Sequence, residues 1–161
     1  MRLSINQNLY IIICFLFLQG CLSRDFVPIY SLNNYFSSSK LRYINPQISG
    51  DLMALLIESN GINKLTLFDL KRKGTIFLPG IKNIDSDFLS VSISAKGNKL
   101  AFITTKNQKN QLFLYDRKTG FIRKISINPN GMPVKVSISA VGTLAVQVLR
   151  EGRFEIDIIQ I

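Results

Sequence analysis

At 161 residues the chain has the length of one domain. Its composition, 47% hydrophobic and 19% charged, supports a packed core and excludes a disordered chain. Lys and Arg total 20 against 10 Asp and Glu, for a net charge of +10, and there is no His, which removes the commonest general base and transition-metal ligand. The charge favours contact with anionic surfaces such as lipid headgroups, wall polymers or nucleic acid; a solvated surface kept soluble by its charge is the plainer alternative. Two Cys, at 14 and 21, cannot make a structural zinc site unaided.

Met1–Asn8 supplies a modest positive start through the terminal amine and Arg2. Leu9–Leu18 is almost wholly apolar, about ten residues long, against the roughly 20 needed to span a hydrocarbon core. That length matches the central region of a secretory signal peptide. The next residues, Leu18, Gln19, Gly20 and Cys21, resemble the bacterial lipoprotein signal: Leu, a small or polar residue, Gly or Ala, then Cys. The resemblance implies cleavage after residue 20 and a diacylglyceryl group on the Cys21 sulfur. Small Gly20 lets a peptidase approach the bond, and the thiol of Cys21 accepts the lipid. One acyl chain holds a protein only marginally, so the two or three expected would give a lasting anchor. Leu22, not Asp, follows the Cys; in the Gram-negative sorting pattern this leans towards the outer membrane. An uncleaved anchor or buried helix ending in a chance Cys is the alternative.

Residues 22–40, LSRDFVPIYSLNNYFSSSK, show neither a helical nor a strand period. Pro28, Asn33-Asn34 and Ser37–Ser39 read as linker signals. The expectation is a signal peptide at 1–20, a lipidated tether at 21–40 and a folded domain at 41–161. Phe26, Ile29, Tyr30, Tyr35 and Phe36 are more apolar than a spacer needs, and either pack on the domain or dip into the lipid interface. No helix is expected after residue 21.

Three stretches of the remainder are self-similar: 44–79, 91–127 and 136–161. Ala54, Ala101 and Ala145 align, 47 and 44 residues apart, and Asp69, Asp116 and Asp157 align at the end of a later run. A period of about 41–47 residues is that of four-stranded propeller blades. The middle unit divides into strands at 91–94, 99–105, 111–115 and 121–127, rich in Ile, Leu, Phe, Val and Thr. Turns containing Gly, Asn and Asp separate them. LMALLI (52–57) is apolar on both faces, which suits a strand buried between neighbouring sheets.

SAKGNKLAF (94–102) and LFLYDRKTG (112–120) resemble the repeat of TolB-like β-propellers, roughly Ser-Pro-Asp-Gly-Lys, then Leu-Ala-Phe, then a strand ending in Asp and a Thr-Gly turn. Ser94, Gly97, Leu100, Ala101 and Phe102 match; Ala95 and Lys96 replace Pro and Asp. The fold expected is therefore all-β, with about three four-stranded antiparallel blade-like repeats forming a partial or oligomer-completed propeller. The third unit ends after its third strand. Three units are too few for a ring, which usually takes four to eight blades, and exposed blade faces mark interaction surfaces. Two copies would supply six blades. KLRYI (40–44) is a candidate for the strand the last unit lacks, and a compact sandwich or barrel needing no partner is the alternative.

No catalytic constellation emerges. Asp69 and Asp116 each precede a basic turn, which suits a turn-stabilising role better than a catalytic pair. Asp85 and Asp87 offer only two ligands for a hard cation, and GINK and GMPV follow no phosphate-loop spacing; no metal or cofactor is expected beyond the lipid on Cys21. The basic residues Lys71, Arg72, Lys73, Arg117 and Lys118 occupy equivalent turns, and Lys96 and Lys99 flank another. In a propeller these turns open onto one rim, a candidate basic surface for phospholipid or anionic wall polymer; guarding hairpin ends against aggregation is the alternative. The reading is a lipid-anchored, non-enzymatic envelope protein facing the periplasm or cell exterior. Its expected partners are membrane lipid, an envelope protein or wall polymer, and a second copy, but not nucleic acid. Alternatives are an envelope hydrolase on a degenerate propeller and a structural surface lipoprotein with no discrete ligand. Cys21→Ala should abolish incorporation of labelled palmitate and leave unprocessed or soluble precursor; unchanged labelling would contradict the anchor.

Overall fold

Strands follow one another in three antiparallel meanders. In the computed structural model, which describes residues 28–127 and 131–161, β1 (Arg42–Ser49), β2 (Leu52–Ser59), β3 (Ile62–Asp69) and β4 (Gly74–Ile76) form the first sheet. The second comprises β5 (Asp87–Ile93), β6 (Lys99–Lys106), β7 (Lys109–Asp116) and β8 (Ile122–Ile125), and the third β9 (Met132–Ile138), β10 (Thr143–Arg150) and β11 (Arg153–Gln160). The chain divides into two units, Met1–Asn34 and Tyr35–Ile161, and every strand described lies in the second. The all-β expectation of blade-like repeats holds, with the third sheet one strand short. The proposed signal peptide, Leu18, Gln19, Gly20 and Cys21 lie outside the described residues.

Local chemistry explains the meanders. The second and third strands of each sheet are joined by two-residue turns, Asn60-Gly61, Asn107-Gln108 and Glu151-Gly152, with both residues at positive φ. That conformation matches the right-handed twist of the flanking strands, and Asn and Gly adopt it most readily. The first strand of each sheet pairs irregularly near its start, at Ile44/Gln47, Phe88/Ser90 and opposite Gln147/Val148. An extra residue at each place bends the strand.

The sheets stack in chain order. Ala54, Leu56, Leu65 and Leu67 of the first sheet pack against Val91, Ile93, Leu100, Phe102 and Tyr115 of the second. Ala101, Ile103, Leu112 and Leu114, on the other face of the second sheet, pack against Val136, Ile138, Leu144, Val146 and Val148 of the third. Both faces of the middle sheet are thus buried, which is why its strands read as continuous apolar runs. Side chains also tie the first strands together. Ser90 Oγ accepts from the Val136 N–H at 3.2 Å and Ser92 Oγ from the Ile138 N–H at 3.1 Å. Asn45 Nδ2 donates to the Leu89 carbonyl at 3.2 Å.

Three expectations need correction. The expected tether contains a helix, α1 (Tyr30–Ser38). Its Ser and Asn residues are weak helix formers, so propensity hides it. Packing stabilises it: Tyr35 and Phe36 lie with ring centroids 5.2 and 5.1 Å from Phe68, Phe36 meets Tyr43 edge-on at 5.1 Å, and Ser39 Oγ donates to Tyr43 Oη at 2.8 Å. These aromatics cover the outward face of the first sheet. Second, KLRYI does not complete the last unit. Its residues 42–44 open β1, where Arg42, Tyr43 and Ile44 stand opposite Glu58, Ile57 and Leu56, a pairing that closes a far shorter loop. Third, Asp157 is not the counterpart of Asp69 and Asp116. Those stand opposite Leu52 and Lys99, and the matching position, opposite Thr143, is Gln160. Asp157 instead receives Arg150, with Nη2 to Oδ2 at 2.6 Å.

Leu67 is fully buried between the first two sheets. Leu67→Ala should reduce unfolding free energy by about 2–5 kcal/mol, read as a lower denaturant midpoint at constant slope.

Candidate functional site

Strand alternation places every first-to-second and third-to-fourth turn at one end of the domain. These are the turns at 50–51, 70–73, 94–98, 117–121 and 139–142. Backbone bonds join neighbours: Leu70 N–H donates to the Asp51 carbonyl at 2.8 Å and Arg117 N–H to the Asn98 carbonyl at 2.9 Å. Ser49 Oγ donates to the Ala95 carbonyl at 2.7 Å and Arg117 Nη1 to the Gly97 carbonyl at 2.6 Å, linking turns of different strands and sheets. Gly97 is required here. Its φ is +66°, and a Cβ would come within 2.6 Å of Leu52 Cδ1 on the first sheet.

Two turns have the same internal design. Asp69 Oδ1 accepts from the Lys71 and Arg72 N–H groups at 3.0 and 2.8 Å, and Asp116 Oδ1 from Lys118 and Thr119 at 2.8 and 3.2 Å. This is the Asx turn expected from the sequence. The backbone donors of Thr119 and Lys118 hold the Asp116 carboxyl below the usual carboxylate range. Folding the acids back into their own turns sends the basic side chains out. Lys71, Arg72, Lys73, Lys96 and Lys118 are exposed, while Lys99 and Arg117 are half-buried. Arg72, itself exposed, approaches the half-buried Asp69 only at 3.8 Å, a contact of small energetic weight. All seven basic residues singled out from the sequence therefore stand at one rim, and Asp51, Asp69 and Asp116 are the acids of its turns.

The remaining candidates are otherwise engaged. Asp85 pairs with Lys106 Nζ at 3.1 Å, and Asp87 Oδ1 accepts from the Asn63 N–H at 2.7 Å. Among the described residues no three His, Cys, Asp or Glu are grouped to hold a metal ion, and no helix is long and apolar enough to cross a membrane. Sequence reasoning missed a cleft of about 730 Å3 where the first two sheets meet towards the opposite end, lined in part by Lys64, Thr66, Phe77, Lys82 and Asp87. Only Asp85 and Asp87 signalled it. Burial of the Tyr115 ring raises its phenol pKa, with Arg117 opposing, and the hydroxyl meets no hydrogen-bond partner among the described residues.

No family model matches the chain and no curated protein matches it; solved structures do. An Agrobacterium tumefaciens protein assigned as TolB superposes with a TM-score of 0.58 at 18% identity, over 72% of this chain and 42% of that one. The fold is a partial TolB-like β-propeller. An acylaminoacyl peptidase from Pyrococcus horikoshii superposes with a TM-score of 0.51 at 17% identity, over 71% of this chain and 18% of that one. At such identities the likeness is one of fold. The chain spans less than half the length of either structure.

The lowered Asp116 value has a pH consequence. A carboxyl harder to protonate folded than unfolded stabilises fully above the usual aspartate value, near pH 4, and loses that contribution as pH falls through the folded value. Asp116→Asn keeps an acceptor for both turn N–H groups and removes the titration. Its unfolding midpoint should lie below the parent's at pH 7, decline less between about pH 4 and pH 2, and converge with the parent's at the acid end.

Proposed function

We propose that this chain is a lipid-anchored protein of a bacterial cell envelope that acts by binding, with the TolB-like blades as scaffold and the basic rim as the contact surface. The observation that carries the reading is the gathering of Lys71, Arg72, Lys73, Lys96, Lys99, Arg117 and Lys118 at the turns of one end. A surface of one sign concentrates an anionic partner and speeds encounter without a formed pocket. The partner class is an anionic membrane surface or wall polymer, which a lipid on Cys21 would hold within reach. The reading assigns no chemistry to Asp69 and Asp116, whose carboxylates are committed to their own turns.

The test is binding of the full chain to vesicles of phosphatidylglycerol in phosphatidylcholine and to purified anionic wall polymer. Lys71→Glu/Arg72→Glu/Lys73→Glu should weaken binding at least about tenfold, and added salt should weaken the parent in the same way. Lys106→Glu/Lys109→Glu, at the opposite hairpin, should have little effect. Equal losses would reduce the rim to net charge alone and defeat the proposal.

A further inference from the structure

The repeats register residue on residue, so each sheet shows what its neighbours should cover. The face of the first sheet that meets the second carries Ala54 opposite Leu67 and Leu56 opposite Leu65. The corresponding face of the second carries Ala101 opposite Leu114 and Ile103 opposite Leu112. On the third sheet the same positions are Ala145 opposite Ile158 and Gln147 opposite Ile156. Leu65, Leu67, Leu112 and Leu114 are 8, 0, 1 and 6% exposed, whereas Ile156 and Ile158 are 61 and 67% exposed, with Phe154 beside them at 63%. The third sheet therefore carries a blade-to-blade face with no blade on it among the described residues.

The first sheet has the complementary vacancy. Ile93 and Ile138, paired with Leu100 and Leu144, are each 7% exposed because the preceding sheet covers them. Their counterpart, Ile48, paired with Met53, is 66% exposed. On the same face Phe68 is covered by Tyr35 and Phe36, at the end of α1, and Tyr43 by Phe36. Among the described residues, one chain thus has an uncovered front face and a back face covered by Tyr35 and Phe36, and the register places both faces where the middle sheet meets its neighbours.

We propose that two copies of this chain close a six-bladed ring, each seating the open face of its third sheet on the first sheet of the other, with α1 as a plug displaced when the ring closes. Six lies within the range in which propellers close, and two such contacts related by a two-fold axis leave no open face. Tyr35 is itself substantially exposed, and a helix of nine residues is marginal without its packing, so it is an exchangeable cover. The proposal rests on blade register and is independent of the basic rim.

The experiment is the mass of the full chain at about 10 µM in a mild non-ionic detergent. Twice the monomer mass is expected. Ile158→Glu and Ile48→Glu should each give a monomer with parental circular dichroism; both sites are exposed in the single copy, and Ile156→Lys is the replacement should either misfold. Tyr35→Ala/Phe36→Ala should lower the dimer dissociation constant at least about fivefold by loosening the plug. A parental monomer, or mass growing with concentration as in an open filament, would overturn the ring. A dimer that survives Ile48→Glu but not Ile158→Glu would mean third sheet on third sheet, and also overturns it. Unchanged or weaker association of the helix variant would overturn the plug.

Discussion

The middle sheet is apolar on both faces and each outer sheet carries apolar residues on its second face as well, and that one constraint governs the rest. A sheet with one wet face stands alone once its other face is covered; a sheet with two dry ones has to be sandwiched. The middle sheet meets the condition fully, with Leu100 and Phe102 turned to the first sheet and Ala101 and Ile103 to the third, all fully buried. The outer sheets meet it on one side. The first is closed on its other side by aromatic residues of α1, a solution in which rings replace a missing blade. Small residues at Ala54 and Ala101 let the backbones approach, and the hydroxyls of Ser90 and Ser92 satisfy amides of β9 where the first strands converge.

The middle unit was legible because all levels of its sequence agree. SAKGNKLAF and LFLYDRKTG combine turn residues that tolerate their backbone angles with strands whose apolar runs fit burial on both faces. Agreement of that kind is what makes a sequence specify a structure. The parts that escaped are those where tertiary contact overrides local preference. In α1, Leu32, Tyr35 and Phe36 do fall at helical spacing, but three positions among Ser and Asn make too weak a period to stand out. The opening residues of β1, 42–44, were assigned elsewhere for another reason: Asn45 at positive φ followed by Pro46 interrupts the alternation, and only the bulge against β2 shows the two halves to be one strand. Asp157 misled because a residue type was aligned where a register was needed.

The rim was legible as a list of residues and not as a surface. Sequence gave the basic doublets and their equivalence between turns, whereas the bonds from Arg117 to Gly97, Ser49 to Ala95 and Leu70 to Asp51 fix those turns as neighbours. The acids that would neutralise the rim are the ones that build it. By accepting backbone donors, Asp69 and Asp116 shape the hairpins and direct the cationic side chains into solvent. Charge at this end is thus a by-product of turn construction, strengthened wherever Lys or Arg occupies the tip.

The meander has a bearing on how the chain acquires its structure. Every strand pairs with the one made just before it, and every sheet packs on its sequence neighbour, so no pairing waits for a distant segment. Local connectivity of this kind keeps contact order low for an all-β domain and allows ordering to spread from one repeat to the next. A chain delivered end first, amino terminus leading, could assemble each hairpin as it emerged and use it as the template for the following one. The middle repeat, in contact with both others, would be the step at which partial order becomes cooperative.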